Sequence, residues 1–272
     1  MQGRLSEMYE NKIQSFPSQS WKEEFKIASK YGFEIIELIF DEIQPNPLLS
    51  NEGIVEIKQL MEKNNISINA ICADYFMTKK LFNESQLELE KNIEIIKKLI
   101  MQANKLEISI IEIPLVDSSS LKTDENKKEI INNFNKILPF AEKNNVTITL
   151  ETDLNPYDFK KFLIEFNHPC VMANYDSGNS ASLGYNSGEE LVELKKWIKN
   201  VHVKDRKFQG ITVPFGTGDT DFDLFFSSLS KINYSDDLII QGARFENKAI
   251  TPEVTCQIYQ EFIKQNVDKY YI

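Results

Sequence analysis

The amino-acid sequence alternates between two patterns along its whole length. Short runs rich in β-branched residues are each followed by a longer stretch in which apolar residues recur with helical spacing. The eight predicted strands lie at residues 1–5, 35–40, 66–71, 108–113, 146–151, 170–176, 200–205 and 237–242. The eight predicted helices lie at residues 21–30, 52–64, 85–104, 124–144, 156–166, 188–198, 222–231 and 252–265. Ser85, Thr123 and Thr251 precede three of these helices and are predicted to cap them.

This alternation predicts the fold. Strands that alternate with helices pair in parallel through right-handed crossovers. Eight strand–helix units in 272 residues correspond to an α/β protein with a (β/α)8 or TIM barrel, which typically takes roughly 250 residues. The alternative is a doubly wound open sheet, but its glycine-rich turn after the first strand is missing. No linker or low-complexity tract divides the chain, so we predict a single barrel domain over residues 1–272.

Composition excludes several classes of function. The chain has 31 Lys and Arg against 41 Asp and Glu, a formal charge of −10, and phosphate contacts to nucleic acid need an excess of cations. No run of 18 apolar residues predicts a membrane span, and the N-terminus lacks the apolar segment of a signal peptide. We therefore expect a cytoplasmic protein with no nucleic-acid or membrane partner. Cys72, Cys170 and Cys256 are far apart and are expected to be reduced thiols.

Side-chain alternation along the predicted strands directs polar groups into the barrel. In the fifth run the apolar side chains must face the surrounding helices, so Glu151 points inward at the C-terminal end of its strand. The same alternation directs Asp176, His202 and Gln241 inward at the ends of the next three strands. Four polar side chains from consecutive strands are therefore expected to meet at one end of the barrel.

Two carboxylates, an imidazole and an amide oxygen form a mixed nitrogen and oxygen ligand set. Such a set leaves Mn²⁺, Mg²⁺, Co²⁺ or Zn²⁺ as candidates and keeps coordination positions open for substrate and water. The lack of clustered cysteine rules out a thiolate-rich zinc site. The structural alternative is that each side chain has a separate protein partner, and a single His is more often such a core residue than a ligand. Convergence of four buried polar groups favours one metal ion.

The arginines are candidates for anion recognition. Arg4, Arg206 and Arg244 are the only arginines among 31 basic residues, and all three follow predicted strands at the same end of the barrel. A guanidinium group binds phosphate or carboxylate through two parallel hydrogen bonds, which Lys cannot match. These residues and Lys204 are therefore predicted to bind an anionic substrate. Ion pairing with local carboxylates is the alternative.

Seven segments together resemble the sugar phosphate isomerase/epimerase proteins of the xylose isomerase-like barrel superfamily. They are MQGRLS (1–6), IELIFD (36–41), LETD (150–153), NYDSGNSASLGY (174–185), NVHVKDR (200–206), VPFGTGDTDF (213–222) and IIQGAR (239–244). The similarity runs in order along the whole chain. It implies that Glu151, Asp176, His202 and Gln241 bind one divalent metal ion. Related epimerases have Glu where this chain has Gln241, and an amide cannot transfer a proton.

The resemblance also implies an isomerase or epimerase of a ketose or sugar phosphate. Glu151 would remove the proton next to the carbonyl, and the metal would stabilise the resulting enediolate. The role of a second acid or base would fall to Glu112, Asp205 or Lys204, or to none of them. Asn179 and Asp205, which lie in matching segments, are added to the arginines as substrate-binding candidates.

Three other functions are compatible with the same barrel. A metal-dependent dehydratase of a keto-polyol would use the same enolate, and a non-catalytic relative would only bind a sugar. A DNA-repair endonuclease is disfavoured, because those relatives need a trinuclear metal site rich in His and the chain has two His. Barrels of this type often form homo-oligomers, but the sequence reveals no interface.

Overall fold

The computed structural model describes residues 1–2, 5–6, 12, 14–245 and 250–271. In that part of the chain there are seven strands, eleven α-helices and two short 3-10 helices, Pro47–Leu49 and Asp117–Ser119. The strands are β1 (Leu38–Ile39), β2 (Ala70–Cys72), β3 (Ile110–Leu115), β4 (Thr147–Thr152), β5 (Val171–Asp176), β6 (Ile198–Val203) and β7 (Leu238–Ile240). The helices are α1 (Trp21–Lys30), α2 (Asn51–Asn64), α3 (Tyr75–Thr78), α4 (Gln86–Lys105), α5 (Asp124–Phe134), α6 (Leu138–Lys143), α7 (Pro156–Phe166), α8 (Ser177–Leu183), α9 (Ser187–Leu194), α10 (Phe222–Lys231) and α11 (Pro252–Tyr270).

The seven strands form one parallel sheet in chain order from β1 to β7. Gln2 joins the two edges of this sheet. Its backbone N–H donates to the carbonyl oxygen of Ile240 at 3.2 Å, and it pairs in parallel with Glu37, just before β1. The predicted barrel is therefore confirmed, although the described part of residues 1–5 contributes a bridge rather than a full strand.

Several predicted elements differ from the observed ones. The predicted helix 124–144 is divided into α5 and α6, because Pro139 lies in the first turn of α6 and has no N–H to donate to an earlier turn. The predicted helix 188–198 ends at Leu194, and the last helix extends to Tyr270. The short helices α3 and α8 were not predicted. Both directly follow strand ends, where the chain turns away from the barrel.

The predicted helix caps are present. Ser85, Thr123 and Thr251 each accept a backbone N–H from the first turn of α4, α5 and α11, at 3.3, 3.2 and 3.4 Å. These side chains satisfy N–H groups that the helix itself leaves without a partner. Among the described helices, none combines the length and apolarity that crossing a bilayer requires.

Aromatic packing holds the helices against the outer surface of the barrel next to β5. Phe225 of α10 is fully buried, its ring stacks on Tyr175 of β5 at 5.9 Å, and it meets Phe226 edge-on at 4.9 Å. Tyr175 directly precedes Asp176 at the end of β5. The packing of α10 therefore helps to fix the strand end that carries one of the predicted metal ligands.

We predict that Phe225→Ala lowers the free energy of unfolding by about 3–5 kcal/mol, because it leaves a cavity between α10 and β5. Urea unfolding followed by circular dichroism measures the change. Tyr157→Ala removes a side chain that is 65% exposed and should change stability by less than about 0.5 kcal/mol. Equal losses in the two variants would contradict this account of the core.

Candidate active site

Three predicted metal ligands meet at the C-terminal ends of adjacent strands. Glu151 lies on β4, Asp176 ends β5, and His202 pairs with Asp176 across β5 and β6. One possible ligand atom from each side chain lies within 4.8 Å of the other two, and all three residues are buried. The inward direction predicted for these side chains thus corresponds to their placement.

The two carboxylate oxygens of Glu151 have different neighbours. Oε2 accepts a hydrogen bond from Asn174 Nδ2 at 2.8 Å and lies 3.5 Å from His202 Nδ1. Oε1 accepts a hydrogen bond from Asn179 Nδ2. One oxygen therefore faces the other candidate ligands, and the second faces α8.

Asp176 has both a structural and a site-facing oxygen. Its Oδ1 caps α8 by accepting the backbone N–H groups of Gly178 and Asn179, both at 2.8 Å. Its Oδ2 lies 3.0 Å from Lys204 Nζ and 4.0 Å from His202 Nδ1. The cap fixes the carboxylate plane, so Oδ2 is held towards the site.

The imidazole of His202 is oriented by a buried carboxylate. Its Nε2 lies 3.0 Å from Oε2 of Glu37, which is itself buried. Burial of the ring opposes its charged form, but Glu37 and Glu151 outweigh this effect and raise the pKa of His202 well above its usual value. Binding of a metal at Nδ1 would therefore release a proton, as metal binding to protonated ligands does. Sequence analysis gave Glu37 no role, because its partner lies 165 residues away.

The chemistry of these donors fits a divalent metal ion. Gln241 Nε2 lies 3.3 Å from His202 Nδ1, so the side chain borders the cluster as predicted. Its Oε1 is buried and has no hydrogen-bond partner among the described residues. An amide oxygen without a partner beside two carboxylates and an imidazole suits a cation that accepts mixed nitrogen and oxygen ligands. The carboxylate of Glu37 behind the imidazole matches the partner that metal-binding histidines usually have.

Glu151 and Gln241 line a cavity of about 920 Å³ at the mouth of the barrel, whereas Asp176 and His202 do not reach its wall. Six predicted site residues contribute to its wall, namely Glu112, Glu151, Asn179, Lys204, Arg206 and Gln241. A cavity of this size accommodates a small molecule. The structure therefore places most of the predicted site residues around one space.

Glu112 is a buried carboxyl group of β3 beside this cavity. It is fully buried, and neither oxygen has a hydrogen-bond partner among the described residues. Burial and the charge of Glu151 raise the pKa of Glu112 well above its usual value. The raised pKa favours the protonated form of this carboxyl group, which can both donate and accept a hydrogen bond.

Two of the described residues that were predicted to bind substrate, Asp205 and Arg244, do not line the cavity. Asp205 is fully buried, and its carboxylate accepts N–H groups from the turn at residues 216–220. Arg244 donates a hydrogen bond to the carbonyl oxygen of Ser6. Arg4 lies outside the described residues. The partners of Asp205 are backbone groups of a loop, which the family resemblance that made it a substrate-binding candidate does not reveal.

Another buried carboxyl group, that of Glu190, lies behind α8 and was not predicted from the sequence. Glu190 accepts hydrogen bonds from the Tyr175 hydroxyl at 2.9 Å and from the hydroxyl of Ser180. Burial raises the pKa of Glu190 to about 7, although these two donors oppose the shift. Glu190 thereby ties α9 to α8 and to β5, the elements that carry Asn179 and Asp176. Its position on the apolar face of α9 is the only sequence signal for its burial.

Comparison with known families agrees with this architecture. The family model described as xylose isomerase-like TIM barrel matches residues 25–253. The chain therefore belongs to the xylose isomerase-like TIM barrel family, and the family assignment made from the sequence is confirmed.

Similar proteins include sugar epimerases. A Haemophilus influenzae protein, SgbU, to which L-ribulose-5-phosphate 3-epimerase activity is provisionally assigned, is 29% identical over 82% of this chain and 83% of its own length. The L-ribulose-5-phosphate 3-epimerase UlaE of Salmonella typhi is 23% identical over 82% of each chain. The crystal structure of the IOLI protein with a bound zinc atom superposes with a TM-score of 0.77 at 20% identity, covering 94% of each chain.

The raised pKa of Glu190 predicts a pH dependence of stability. The folded protein keeps the proton up to about pH 7, whereas the usual pKa is 4.5. The group therefore favours folding below pH 4.5, and this contribution decreases as the pH rises towards 7. Glu190→Gln cannot ionise, so its stability relative to wild type should improve by about 3 kcal/mol between pH 4.5 and 8.

Urea unfolding of wild type and variant across this pH range measures the difference. Glu165→Gln, which removes an exposed carboxylate of α7, serves as the control. Its free energy of unfolding should change with pH in the same way as that of wild type. A constant difference between Glu190→Gln and wild type over the range would contradict the prediction.

Proposed function

We propose that the protein is a divalent-metal-dependent epimerase or isomerase of a ketose or a ketose phosphate. The observation that carries this proposal is the buried cluster of Glu151, Asp176 and His202 at the end of the barrel. The sugar epimerases among its relatives support the same class of reaction. A small-molecule sugar is accordingly the proposed substrate, bound in the cavity of the barrel mouth.

In this proposal Glu151, Asp176 and His202 hold one divalent metal ion, Mn²⁺, Mg²⁺, Co²⁺ or Zn²⁺, and Gln241 offers an amide oxygen as a further ligand. When bound, such an ion acts as a Lewis acid that polarises a carbonyl and stabilises negative charge on its oxygen. Two carboxylates balance the charge of a divalent ion. The neutral side chain of Gln241 leaves this balance unchanged, whereas a third carboxylate would give the site a net negative charge.

Glu151 is the proposed general base. It removes the proton from the carbon next to the substrate carbonyl, and its oxygen Oε1 lies on the side of Asn179, which lines the cavity. Hydrogen bonds from Asn174 and Asn179 hold the carboxylate in one orientation, as a base must be held for proton transfer at a fixed atom.

Glu112 is the proposed second acid. Epimerisation returns a proton to the opposite side of the carbon, and Gln241 cannot supply one. Glu112 lines the same cavity, and burial and the charge of Glu151 raise its pKa, which favours the carboxylic acid form. Lys204, paired with Asp176 at 3.0 Å, contributes a positive charge that stabilises negative charge developing on the substrate oxygens.

Of the residues predicted from the sequence to contact the substrate, namely Arg4, Asn179, Asp205, Arg206 and Arg244, Asn179 and Arg206 are the described ones that line the cavity. The bonds of Asp205 to backbone N–H groups favour a role in shaping the loop above the substrate.

A dehydratase of a keto-polyol is the second candidate function. The observation that favours it is the amide at position 241, since β-elimination after proton abstraction needs an acid only for the leaving hydroxyl group. The protonated Glu112 could supply that proton. Measuring water loss and isomerisation of the same substrate separates the two reactions.

We predict that Glu151→Gln reduces kcat by about 10²–10⁴-fold, because the amide cannot accept the proton. Turnover of L-ribulose 5-phosphate and of unphosphorylated L-ribulose, with other pentuloses and hexuloses as a panel, is measured in D₂O with Mn²⁺ present. Wild type should incorporate deuterium next to the carbonyl, and the variant should not. Undiminished exchange in the variant would remove Glu151 from the mechanism, and no turnover of any sugar by wild type would favour a sugar-binding protein.

The two proposed proton-transfer groups are separable by the same assay. Glu112→Gln should retain deuterium exchange next to the carbonyl, because Glu151 still removes the proton. Formation of the epimerised product should fall by about 10²-fold or more, since the amide cannot protonate the opposite face. Full epimerase activity in Glu112→Gln would show that another group is the second acid.

A further inference from the structure

The guanidinium group of Arg206 is held by three hydrogen bonds within the chain. Its Nε and Nη2 donate to the carbonyl oxygen of Gly210 at 3.1 and 2.8 Å. Its Nη1 donates to Oδ1 of Asn179 at 2.7 Å. The backbone of Gly210 thus holds one edge of the planar group, and Nη1 at the other edge points towards Asn179 of α8.

This contact fixes the orientation of the Asn179 amide. A cation donates to Oδ1, so Nδ2 must point in the opposite direction, where it donates to Oε1 of Glu151. Without Arg206, only the carboxylate of Glu151 would favour this orientation of the amide, and the Asn179 side chain would lose the contact that holds its oxygen. Arg206 therefore reinforces the orientation in which Asn179 donates to Glu151 and restricts rotation of the side chain.

Arg206 and Asn179 lie on two segments that contact each other. Arg206 begins a hairpin that pairs in antiparallel fashion with Thr212. Within this hairpin the N–H of Gln209 donates to the carbonyl oxygen of Ser182 in α8 at 2.8 Å. The ring of Phe208 lies against Gly184 after α8, so closely that a Cβ there would come within 2.8 Å of it. The distance between Arg206 and Asn179 is therefore set by the fold.

We propose that Arg206 is a positioning residue that holds Glu151 through Asn179, rather than the anion-binding residue that its rarity in the sequence suggests. This inference rests on the proposed function for the role of Glu151. It assigns the two oxygens of Glu151 to different tasks: Oε2 faces the ligand cluster, and Oε1 is held by Asn179 on the cavity side. Arg206 then affects the reaction of every substrate equally, whether or not the substrate carries a phosphate.

Four variants test the chain of contacts. Arg206→Met and Asn179→Leu each break one link, their combination breaks both, and Lys207→Met removes the exposed neighbouring cation as a matched control. Isothermal titration with Mn²⁺ alone is the first measurement. Each single variant and the double variant should weaken Mn²⁺ binding by the same factor, about 10-fold, and Lys207→Met should bind like wild type.

The double variant is decisive. If Arg206 acts only through Asn179, removing both side chains weakens Mn²⁺ binding no more than removing either one. Additive losses in Arg206→Met and Asn179→Leu, or unchanged Mn²⁺ affinity in both, would overturn the proposal. Thermal unfolding without Mn²⁺ shows whether each variant folds. If Arg206→Met does not fold, the Mn²⁺ affinity of Asn179→Leu, which lies on a different element, tests the proposal.

Kinetics distinguish positioning from phosphate binding. With L-ribulose 5-phosphate and L-ribulose as probes, Arg206→Met should lower kcat about 10–100-fold for both and change KM little. A higher KM confined to the phosphorylated ketose would assign Arg206 to phosphate and overturn the proposal. If wild type turns over neither sugar, the proposed function fails while the Mn²⁺ titration still tests the contact.

Discussion

The buried carboxylate of Glu37 is the interaction on which the candidate site depends. It accepts hydrogen bonds from Gln2 at 2.9 Å and from Asn200 at 3.0 Å, and it lies 3.0 Å from His202 Nε2. Gln2 also joins the first and last strands of the barrel. Gln2, which closes the barrel through its backbone, is therefore linked through its side chain and Glu37 to the orientation of the imidazole. Because Nε2 is engaged, Nδ1 is the ring nitrogen that faces Glu151 and Asp176.

The rest of the site is built by residues that serve the fold and the chemistry together. Asp176 caps α8 with one oxygen and faces the cluster with the other. α8 in turn presents Asn179 to Glu151. A barrel interior is usually filled by apolar layers. Here, in contrast, the strand ends carry polar side chains that have few hydrogen-bond partners within the protein. Glu112 and Gln241 retain unpaired buried oxygens in the described chain, and such atoms are costly unless a ligand satisfies them.

Local patterns in the sequence were sufficient for the barrel and for the inward direction of Glu151, Asp176, His202 and Gln241. Strand alternation has a period of two and needs no knowledge of distant contacts. The roles of Glu37, Arg206 and Asp205 depend instead on which loops and strands meet. The rarity of arginine suggested anion binding, but the structure surrounds Arg206 with Gly210 and Asn179. Only the folded chain reveals such partners.

Anomalous diffraction from crystals soaked in Mn²⁺ tests whether these strand ends bind a metal ion. We expect one strong peak coordinated by Glu151, Asp176 and Nδ1 of His202, with Gln241 beside it. The same crystals should show Glu37 hydrogen-bonded to Nε2 of that ring. A peak at other residues, or none at saturating Mn²⁺, would contradict the assignment of these strand ends as a metal centre.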